Sequence, residues 1–491
     1  MSIIKPIKKN LRTFILGIGT GCLFFAYVHN IIYGLNPLLS MGAVAITMAL
    51  FWIFEVMPLG ITALLPLVCY PFLGILSTKK IAPIYMSSTL MLFIGGFFVA
   101  IAMQKWNLHK RIALRIIKLF GSSPTRVLLG FMSATWFLSM WISNTATTVM
   151  MVSIGLAIIS SVETLEKDQN QVKLFSSALM LAIAYSATVG GMATLVGTPP
   201  NLAFSRIYAM SFPDVAEMSF GQWMLYGLPA SFFIFFVVFG ALYTRFLRKT
   251  KLESLDANYI DQELKNLGPV RSEEKAIFVV FFLMAFLWIF RKPLELGFLT
   301  VPSWSQFLET GNLFDDGTIA ILCTLILYLI PSENKPGKRI LEAEEISKIP
   351  WQTLLLFGGG FALAKGMAAS GLSVYLGNQF KFVAELPLLY TMLSLSMGMS
   401  FLTELTSNMA STEMILPILV AIAKAKEIDP LYLMIPTTLA ASCAFMLPAA
   451  TAPNAIIFSS GKIDIKTMLK TGFVINIISF SIISVWIYFV I

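Results

Sequence analysis

The sequence predicts an all-α membrane protein with about eleven transmembrane helices. Of its 491 residues, 57% are hydrophobic and only 12% are charged, which is too apolar for a soluble globular protein. Apolar runs long enough to cross a bilayer recur along the whole chain. We expect helices near 11–33, 37–57, 60–76, 87–104, 172–196, 221–246, 273–290, 316–331, 351–369, 432–449 and 471–491.

The apolar sequence is interrupted twice by similar short polar motifs. Residues 143–145 read Ser-Asn-Thr, and residues 407–409 read Ser-Asn-Met, at an offset of 264 positions (407 − 143). The same offset relates the glycine-containing segments 92–97 and 356–361. We expect each motif to form the tip of a re-entrant hairpin. The first hairpin is predicted near 124–160 and the second near 385–425.

A second polar break follows each hairpin. Residues 197–201 read Gly-Thr-Pro-Pro-Asn, and residues 450–454 read Ala-Thr-Ala-Pro-Asn, at an offset of 253 (454 − 201). Duplicated helix breaks inside apolar sequence are typical of the binding site of a secondary transporter. The alternative is helix packing, because Ser, Thr and Asn also join membrane helices. Two copies at matched spacing favour the binding site.

The polar stretch 247–272 divides the chain. Its mixed charge suits a solvated cytoplasmic linker. We therefore expect an N-terminal helix in 1–36, a first repeat in 37–246 and a second repeat in 273–491. Each repeat would hold five spanning helices, one of them unwound, and one hairpin. That odd number of crossings predicts inverted repeats whose breaks meet near the membrane midplane.

The net charge of +9 is explained by membrane orientation. With the N-terminus in the cytoplasm and alternating crossings, cytoplasmic segments hold 26 of the 35 Lys and Arg residues. This positive-inside asymmetry requires no nucleic acid partner. It predicts a multi-pass protein of the bacterial inner (plasma) membrane with its C-terminus outside. The basic segment 105–118 is predicted to be a cytoplasmic interfacial helix with its cations at the lipid headgroups.

The chemistry of the hairpin tips suits an anion together with a small cation. An interrupted helix leaves backbone groups unpaired in the membrane, and Ser, Asn and Thr side chains supply partners for them. Helix N-termini attract anions, whereas free carbonyls at helix C-termini attract cations. No carboxylate occurs in either tripeptide. We therefore expect an anionic substrate carried with a weakly held cation such as Na⁺.

Enzyme chemistry finds no support in the sequence. It needs a nucleophile–base pair, paired carboxylates or a metal cluster. The two histidines, His29 and His109, have no other plausible ligand nearby, and the four cysteines lie in apolar segments without CxxC spacing. We expect no enzyme and no cofactor besides Na⁺ as the coupling ion. A channel suits two inverted hairpins less well than alternating access does.

At the tips and breaks the chain resembles the divalent anion:sodium symporter family, also called DASS or INDY-type transporters. The resemblance covers nearly all of residues 37–491. It includes the early stretch 51–66, which reads Phe-Trp-Ile-Phe-Glu-Val-Met-Pro-Leu-Gly-Ile-Thr-Ala-Leu-Leu-Pro. It implies eleven transmembrane helices, two opposed hairpins, a homodimer in the lipid bilayer, and elevator-type movement of a transport domain against a scaffold.

The resemblance also implies site residues. One Na⁺ would lie among Ser139, Ser143, Asn144 and Gly197, and a second among Thr403, Thr406, Asn408 and Ala450. The carboxylates of the substrate would be held by Ser143, Asn144, Thr145, Thr198, Ser407, Asn408 and Thr451. Neutral hydroxyls and amides bind a dianion reversibly while Na⁺ supplies charge balance. The affinities for anion and Na⁺ therefore depend on each other.

Three residues depart from the pattern of the family. Met409 replaces a threonine of the second tip, Ala452 replaces a proline of the second break, and Glu413 stands where a small apolar residue is usual. An acid inside the membrane is a functional candidate. We expect Met409 and Glu413 to modify specificity, with Glu413 adding sensitivity to protons. The alternative is that Glu413 faces water near the hairpin mouth.

The sequence therefore predicts a secondary active transporter that couples Na⁺ to the import of a dicarboxylate such as succinate or malate. Two alternatives stay open. One is symport of sulfate or another inorganic oxyanion, which the loss of a hydroxyl at Met409 leaves possible. The other is anion exchange without Na⁺.

Overall fold

The computed structural model describes residues 4–215, 217–250, 252, 258–295, 299–311, 313–379 and 385–491. Part of the predicted linker, residues 251 and 253–257, therefore lies outside the described residues, as do the first three residues of the predicted N-terminal helix. The described chain is almost entirely helical. Its only strands are a two-residue antiparallel pair, β1 (Leu294–Glu295) and β2 (Thr300–Val301).

The first half contains twelve α-helices among the described residues. They are α1 (Ile4–Tyr33), α2 (Pro37–Ile53), α3 (Leu59–Thr62), α4 (Leu65–Phe72), α5 (Thr78–Ile81), α6 (Ser88–Lys105), α7 (Leu108–Phe120), α8 (Pro124–Ser139), α9 (Asn144–Leu165), α10 (Gln169–Gly191), α11 (Pro199–Ser211) and α12 (Phe220–Arg245). A 3₁₀ turn at Ala82–Met86 joins α5 to α6, and another at Leu247–Lys249 follows α12.

The rest of the described chain contains ten α-helices. They are α13 (Asn258–Asn266), α14 (Ser272–Ile289), α15 (Asp316–Leu329), α16 (Trp351–Ala369), α17 (Leu372–Gln379), α18 (Leu388–Thr403), α19 (Asn408–Lys426), α20 (Pro430–Ala441), α21 (Ala452–Ser459) and α22 (Ile465–Val490). Further 3₁₀ turns lie at Trp304–Phe307 and Ala343–Lys348.

The helices of the two halves follow one another in the same order. A glycine-containing helix (α6, α16) is followed by a shorter one (α7, α17) and by a hairpin (α8–α9, α18–α19). A helix that ends at a break (α10, α20) and a short helix after it (α11, α21) come next. A helix of 26 residues closes each half (α12, α22). This shared order supports the predicted division into repeats, whose inversion stays a prediction.

The predicted helices are all present, although several end early or are split. The predicted span 60–76 is divided into α3 and α4, and the span 172–196 ends at Gly191. In the described residues, seven helices are long and apolar enough to cross a membrane, or eight if α16 and α17, bent by 81°, form one span. Five shorter apolar helices accompany them. The chain is thus a multi-pass membrane protein, and the count of eleven stays a prediction.

Burial separates a central helix from peripheral ones. Every residue of α10 from Phe175 to Gly191 is buried, so this helix packs against protein on all sides. By contrast, only 17% of the apolar window of α1 is buried, as expected of a helix that faces lipid. The second arm of each hairpin also packs against a helix of the other half: α9 packs against α21, and α19 packs against α11. Each hairpin therefore contacts the helix that follows the break of the other half.

The basic segment 105–118 forms α7, as predicted, but most of its cations bind carboxylates of the protein. Lys110 Nζ lies 2.7 Å from Glu263, Arg111 Nε lies 2.6 Å from Glu274, and Lys118 Nζ lies 2.5 Å from Asp261. Arg111 is buried inside the protein, so the prediction that the cations lie at the lipid headgroups is wrong for this residue, and for Lys110 and Lys118 it stays a prediction. The acids that bind them belong to α13 and α14, which sequence patterns did not place near α7.

Lys105, at the end of α6, makes the same kind of contact with Glu345, at 3.0 Å. Burial raises the pKa of Glu345, but hydrogen bonds from the backbone of Glu342 and from Lys105 outweigh it, and the pKa lies below its ordinary value.

Candidate functional site

The first hairpin turns within four residues. The helix α8 ends at Ser139 and α9 begins at Asn144, with the Ser143 side chain capping α9 through the N–H of Ala146 at 3.3 Å. Because helix ends leave carbonyls free at a C-terminus and N–H groups free at an N-terminus, this tip presents both kinds of backbone group. The position of the tip was predicted correctly.

The first break follows directly after α10. The amide nitrogen of Asn201 donates to the carbonyl oxygens of Gly191 at 3.1 Å and Thr194 at 2.7 Å, and so holds the unwound stretch in place. The hydroxyl of Thr194 donates to the carbonyl oxygen of Met140 at 2.5 Å. The break and the first tip are therefore joined by a hydrogen bond, as a shared site requires.

An oxygen cluster forms where the first tip meets the first break. One end of the Asn144 amide lies 2.5 Å from Ser139 Oγ, 3.1 Å from the carbonyl oxygen of Ala187 and 3.3 Å from that of Gly197. If the amide nitrogen points there, it donates to these acceptors. If the amide oxygen points there, the oxygens converge without enough protons between them, and a small hard cation satisfies them. Three of the four residues predicted for the first Na⁺ site are thus brought together.

The second tip repeats this arrangement. The helix α18 ends at Thr403 and α19 begins at Asn408. The Thr403 hydroxyl is in hydrogen-bond contact with the Asn408 amide oxygen and lies 2.9 Å from the carbonyl oxygen of Ala441. The offset between Ser139 and Thr403 equals that between Asn144 and Asn408, namely 264 (403 − 139 and 408 − 144). The two tips therefore use equivalent residue pairs.

The hydroxyl of Thr406, a predicted ligand of the second Na⁺ site, makes its contacts within the hairpin, and its role as a ligand stays a prediction. This hydroxyl donates to the carbonyl oxygen of Leu402 at 2.9 Å and lies 2.5 Å from Ser411 Oγ. These contacts fix the two arms of the hairpin to each other. The predicted Ala450 is buried in the second break, and its side chain offers no ligand atom, so only its backbone can contribute.

The second break is held by the same device as the first. The amide nitrogen of Asn454 donates to the carbonyl oxygens of Ala444 at 2.9 Å and Leu447 at 3.0 Å. These acceptors lie 253 positions after those of Asn201 (444 − 191 and 447 − 194), the same offset that relates the two asparagines. Sequence reasoning singled out the break motif but missed that its asparagine fixes the backbone.

Glu404 supports the second break from the tip. Its carboxylate accepts hydrogen bonds from the backbone N–H groups of Met446 at 2.8 Å and Leu447 at 2.9 Å, and from the Asn476 amide at 2.8 Å. Three donors satisfy a buried carboxylate in place of water. The same position in the first tip is Met140 (404 − 264), whose carbonyl takes the bond from Thr194.

The remaining predicted substrate ligands have few partners of their own. Thr145 is exposed, whereas Thr198 is buried and caps α11 without a side-chain hydrogen bond. Ser407 precedes α19 and likewise forms no side-chain cap. By contrast, the Thr451 hydroxyl accepts from the N–H of Asn454 at 3.3 Å.

A small cavity lies beside the first tip and adds a residue that the sequence did not indicate. Ser143 and Trp141 line it together with Gly96, Phe97 and Val196. The indole nitrogen of Trp141 is buried and has no hydrogen-bond partner among the described residues. A buried N–H without a partner is rare in proteins and suits a ligand oxygen. Only its position next to the tip could have indicated this residue from sequence.

Of the three departures from the family pattern, Met409 and Glu413 are buried, whereas Ala452 is exposed at the start of α21. Met409 is 5% exposed, and Glu413 is fully buried on α19. The alternative in which Glu413 faces water is therefore wrong. Its two carboxylate oxygens have no hydrogen-bond partner among the described residues.

The chain contains two hairpins and two helix breaks, and hydrogen bonds join each hairpin tip to a break. Each hairpin also packs against a helix of the other half. This arrangement defines a polytopic membrane transporter. The chain belongs to the family described as "Sodium:sulfate symporter transmembrane region", whose sequence model matches residues 36–490. The resemblance to the divalent anion:sodium symporters is thereby confirmed.

Two relatives are similar along most of their length. The "Sodium-dependent dicarboxylate transporter SdcS" of Staphylococcus saprophyticus is 42% identical over 456 residues, covering 91% of this chain and 85% of the relative. The protein of the same name from Staphylococcus aureus (strain NCTC 8325) is 41% identical over 453 residues, with the same coverage.

Solved structures support the fold. The YdaH transporter of Alcanivorax borkumensis, described as having an unusual topology, aligns with a TM-score of 0.53 over 83% of this chain and 88% of its own, at 13% identity. MtrF of Neisseria gonorrhoeae aligns with a TM-score of 0.52 over 84% of this chain and 82% of its own, also at 13% identity. At this identity the likeness concerns architecture alone.

Proposed function

We propose that this protein is a secondary active transporter that couples Na⁺ to the import of a dicarboxylate such as succinate or malate. The observation that carries the proposal is the oxygen cluster at the first tip, with its equivalent residue pair at the second. Membership of the sodium:sulfate symporter family supports Na⁺ as the coupling ion, and the names of the SdcS relatives support both Na⁺ and a dicarboxylate.

The helix ends explain how neutral residues would bind both ions. The C-termini of α8 and α10 end at the first cluster, where free carbonyls favour a cation. The N-termini of α9 and α11 begin there and favour an anion. The helices α18, α20, α19 and α21 have the same arrangement in the second half. Two cations and one dianion therefore fit with Glu404 as the one charged side chain of the two tips, and its carboxylate is already bound by three donors.

Coupling follows from shared residues. In the proposed assignment the side chains of Asn144 and Asn408 contact Na⁺. The hairpin tips next to these two residues contact the substrate. Bound Na⁺ orders the tip and adds positive charge beside the anion, so it raises the affinity for the anion. The anion raises the affinity for Na⁺ by the same factor.

The packing supports movement of one unit against another. The hairpins, the broken helices α10–α11 and α20–α21, and the helices α12 and α22 pack among themselves. The helices α6, α14 and α15 form a second group, and α16 packs against α3 and α4. In the proposed elevator mechanism the first group carries the substrate across the second, in each subunit of a homodimer with its N-terminus in the cytoplasm.

A sulfate symporter is the second candidate, favoured by one observation. Met409 occupies the place of a tip hydroxyl, and its buried side chain removes a hydrogen-bond donor that a second carboxylate would use. A compact oxyanion needs fewer separated donors than a dicarboxylate.

The test is uptake of labelled succinate, citrate and sulfate into proteoliposomes. Each substrate is offered with an inward Na⁺ gradient, with an inward K⁺ gradient, or with trans-loaded anion. We expect succinate uptake that requires the Na⁺ gradient. Uptake driven by trans-loaded anion without Na⁺ would contradict symport, and Na⁺-driven uptake of sulfate alone would establish the second candidate.

A further inference from the structure

The carboxyl group of Glu413 occupies a space that a glycine of the neighbouring helix leaves open. A methyl group placed on Gly360 of α16 would lie 2.2 Å from Cδ of Glu413 and 2.5 Å from Oε2. No residue with a side chain fits there without displacing the acid. The carboxyl group of Glu413 therefore lies directly at the contact between α19 of the second hairpin and the glycine-rich helix α16.

No cation of the described elements around α19 pairs with Glu413. Lys365 of α16 is exposed, and Lys424 donates to the carbonyl oxygen of Ser211 at 2.7 Å. Arg206 of α11 has a buried Nε without a partner, but it forms no hydrogen bond or ion pair with Glu413. The helices α2, α17, α18 and α20 contain no Lys, Arg, Asp or Glu. Apart from Arg206, the ionisable residues of α11, α17, α18 and α20 are Tyr208, Tyr375, Tyr390 and Tyr432, and α2 has none.

Tyr85, in the 3₁₀ turn before α6, is the ionisable group that interacts with Glu413. Its hydroxyl donates to the carbonyl oxygen of Ala63 at 2.6 Å and is thus committed to another acceptor. A phenol is neutral at physiological pH and cannot balance a carboxylate charge. Glu413 therefore has neither a counter-ion nor a hydrogen-bond donor among the described residues.

A buried carboxylate without such partners is so unfavourable that the group binds a proton instead. The first half offers no equivalent. The residue at the matching position of α9 is Val149 (413 − 264), which is 54% exposed. The acid is thus a feature of the second hairpin, added to the repeated framework.

We propose that Glu413 is a proton-binding site at the contact between the second hairpin and α16. The carboxyl group carries one proton while α19 packs against Gly360, and it releases that proton to water when the hairpin moves away from α16. Acidic pH therefore favours the packed arrangement, and alkaline pH favours the separated one. The inference rests on the proposed function in one respect, namely that the hairpin moves relative to α16.

The first test measures protonation without transport. Thermal unfolding of the purified full-length protein in detergent is followed from pH 5.5 to 8 for the wild type and for Glu413→Gln. If the folded protein holds a proton that the unfolded chain releases, wild-type stability falls as pH rises, relative to the variant. We expect the difference in Tm to change by roughly 5 °C over this range.

A matched control removes an exposed, paired carboxylate. Glu163 lies 2.5 Å from Lys462 Nζ and is 38% exposed. The Tm difference between Glu163→Gln and the wild type should not change with pH in the way that the difference between Glu413→Gln and the wild type does. A Tm difference for Glu413→Gln that is constant from pH 5.5 to 8 would overturn the proposal, whatever the transport assay shows.

The second test measures the consequence for transport. Na⁺-driven succinate uptake is compared between wild type and Glu413→Gln in the same pH series, and the ratio of rates cancels titration of the substrate. We expect the wild-type rate divided by the Glu413→Gln rate to be near one at pH 5.5 and to rise at least about threefold by pH 8. The reason is that only the wild type can ionise at this position and leave α16. A ratio that does not change with pH would contradict the link to movement.

A third variant changes the contact between Glu413 and Gly360 on the side of α16. Gly360→Ala displaces the carboxyl from α16 into water, where an ordinary glutamate is ionised throughout this pH range. We expect its Tm to lose the pH dependence of the wild type, as in Glu413→Gln. Retention of the wild-type dependence in Gly360→Ala would show that the proton is bound elsewhere. Absence of Na⁺-driven uptake in the wild type, with the Tm result as expected, would reject the proposed function and leave the proton site standing.

Discussion

The hydroxyl of Tyr185 donates to the carbonyl oxygen of Phe445 at 2.7 Å, and the two rings meet at a centroid distance of 5.1 Å. This contact joins the central helix α10 of the first half to the unwound stretch of the second. The backbone N–H of Phe445 is in turn held by the amide oxygen of Asn476 at 3.2 Å. Both backbone groups of one break residue are thus satisfied from different helices.

Tyr185→Phe should weaken transport while leaving the fold intact. The ring contact is kept, but a buried carbonyl loses its donor at a cost of about 1–3 kcal/mol, which loosens the second break. We expect the Na⁺ concentration for half-maximal uptake to rise several-fold. Tyr243→Phe, at a position 39% exposed on α12, is the control and should be neutral. Equal Na⁺ dependence in the two variants would show that the bond does not support the site.

Asn144→Ala and Asn408→Ala should each abolish Na⁺-driven uptake. Each change removes the amide oxygen from a cluster that also contains Ser139 or Thr403, and we expect at least a tenfold loss of rate, or about 1.4 kcal/mol or more. Asn170→Ala, at an exposed position in the first turn of α10, should transport normally. Membrane insertion is checked by size-exclusion chromatography of the purified protein. Near-normal uptake by both tip variants would remove these residues from the site.

Trp141→Phe should raise KM for the anion more than it lowers the maximal rate. The indole stacks on Phe220 at 6.0 Å and meets Phe281 edge-on at 5.2 Å, and phenylalanine keeps much of this packing. What is lost is the buried N–H, and a hydrogen bond to a charged group contributes about 1.5–3 kcal/mol. We expect KM to rise about tenfold. Trp351→Phe, at a position 44% exposed, is the control, and an unchanged KM in Trp141→Phe would exclude the N–H from substrate binding.

Met409→Thr should shift preference toward dicarboxylates. The substitution restores a hydroxyl at the second tip, and one added donor to a carboxylate is expected to lower the KM for succinate several-fold relative to that for sulfate. Competition of each anion against labelled succinate measures the shift. Met414→Thr, farther along α19, makes the same chemical change away from the tip and should leave the ratio unchanged. An identical ratio in both variants would mean that Met409 does not set specificity.

The sequence predicted the elements whose signal is local. Each polar tripeptide begins at the last residue of a tip, Ser143 or Ser407, and continues into the first turn of the helix that follows. The predicted spans 172–196 and 432–449 continued beyond Gly191 and Ala441, where α10 and α20 end. Apolar side chains persist through those unwound stretches, so hydropathy does not reveal that the backbone leaves the helix.

Parts of the site have no sequence signature at all. The carbonyl of Ala187 joins the oxygen cluster from near the C-terminal end of α10, and any residue type could supply it. The family resemblance implied Thr406 as a cation ligand, but no sequence pattern indicated that its hydroxyl contacts Leu402 and Ser411 within the hairpin. The pairing of α7 with acids of α13 and α14 likewise depended on long-range contacts that charge patterns cannot specify.

The burial of α10 from Phe175 to Gly191 has a consequence for biogenesis. Ser176, Ser177, Ser186 and Thr188 are all at most 4% exposed, yet the protein that covers them includes segments made much later. The carbonyl that accepts from Ser177 belongs to Lys462, 285 residues downstream. At about 5–20 residues per second, translation of that distance takes roughly a quarter of a minute to a minute. During that interval the hydroxyl-rich helix must remain beside the insertion machinery or an earlier helix, so the two halves cannot mature independently.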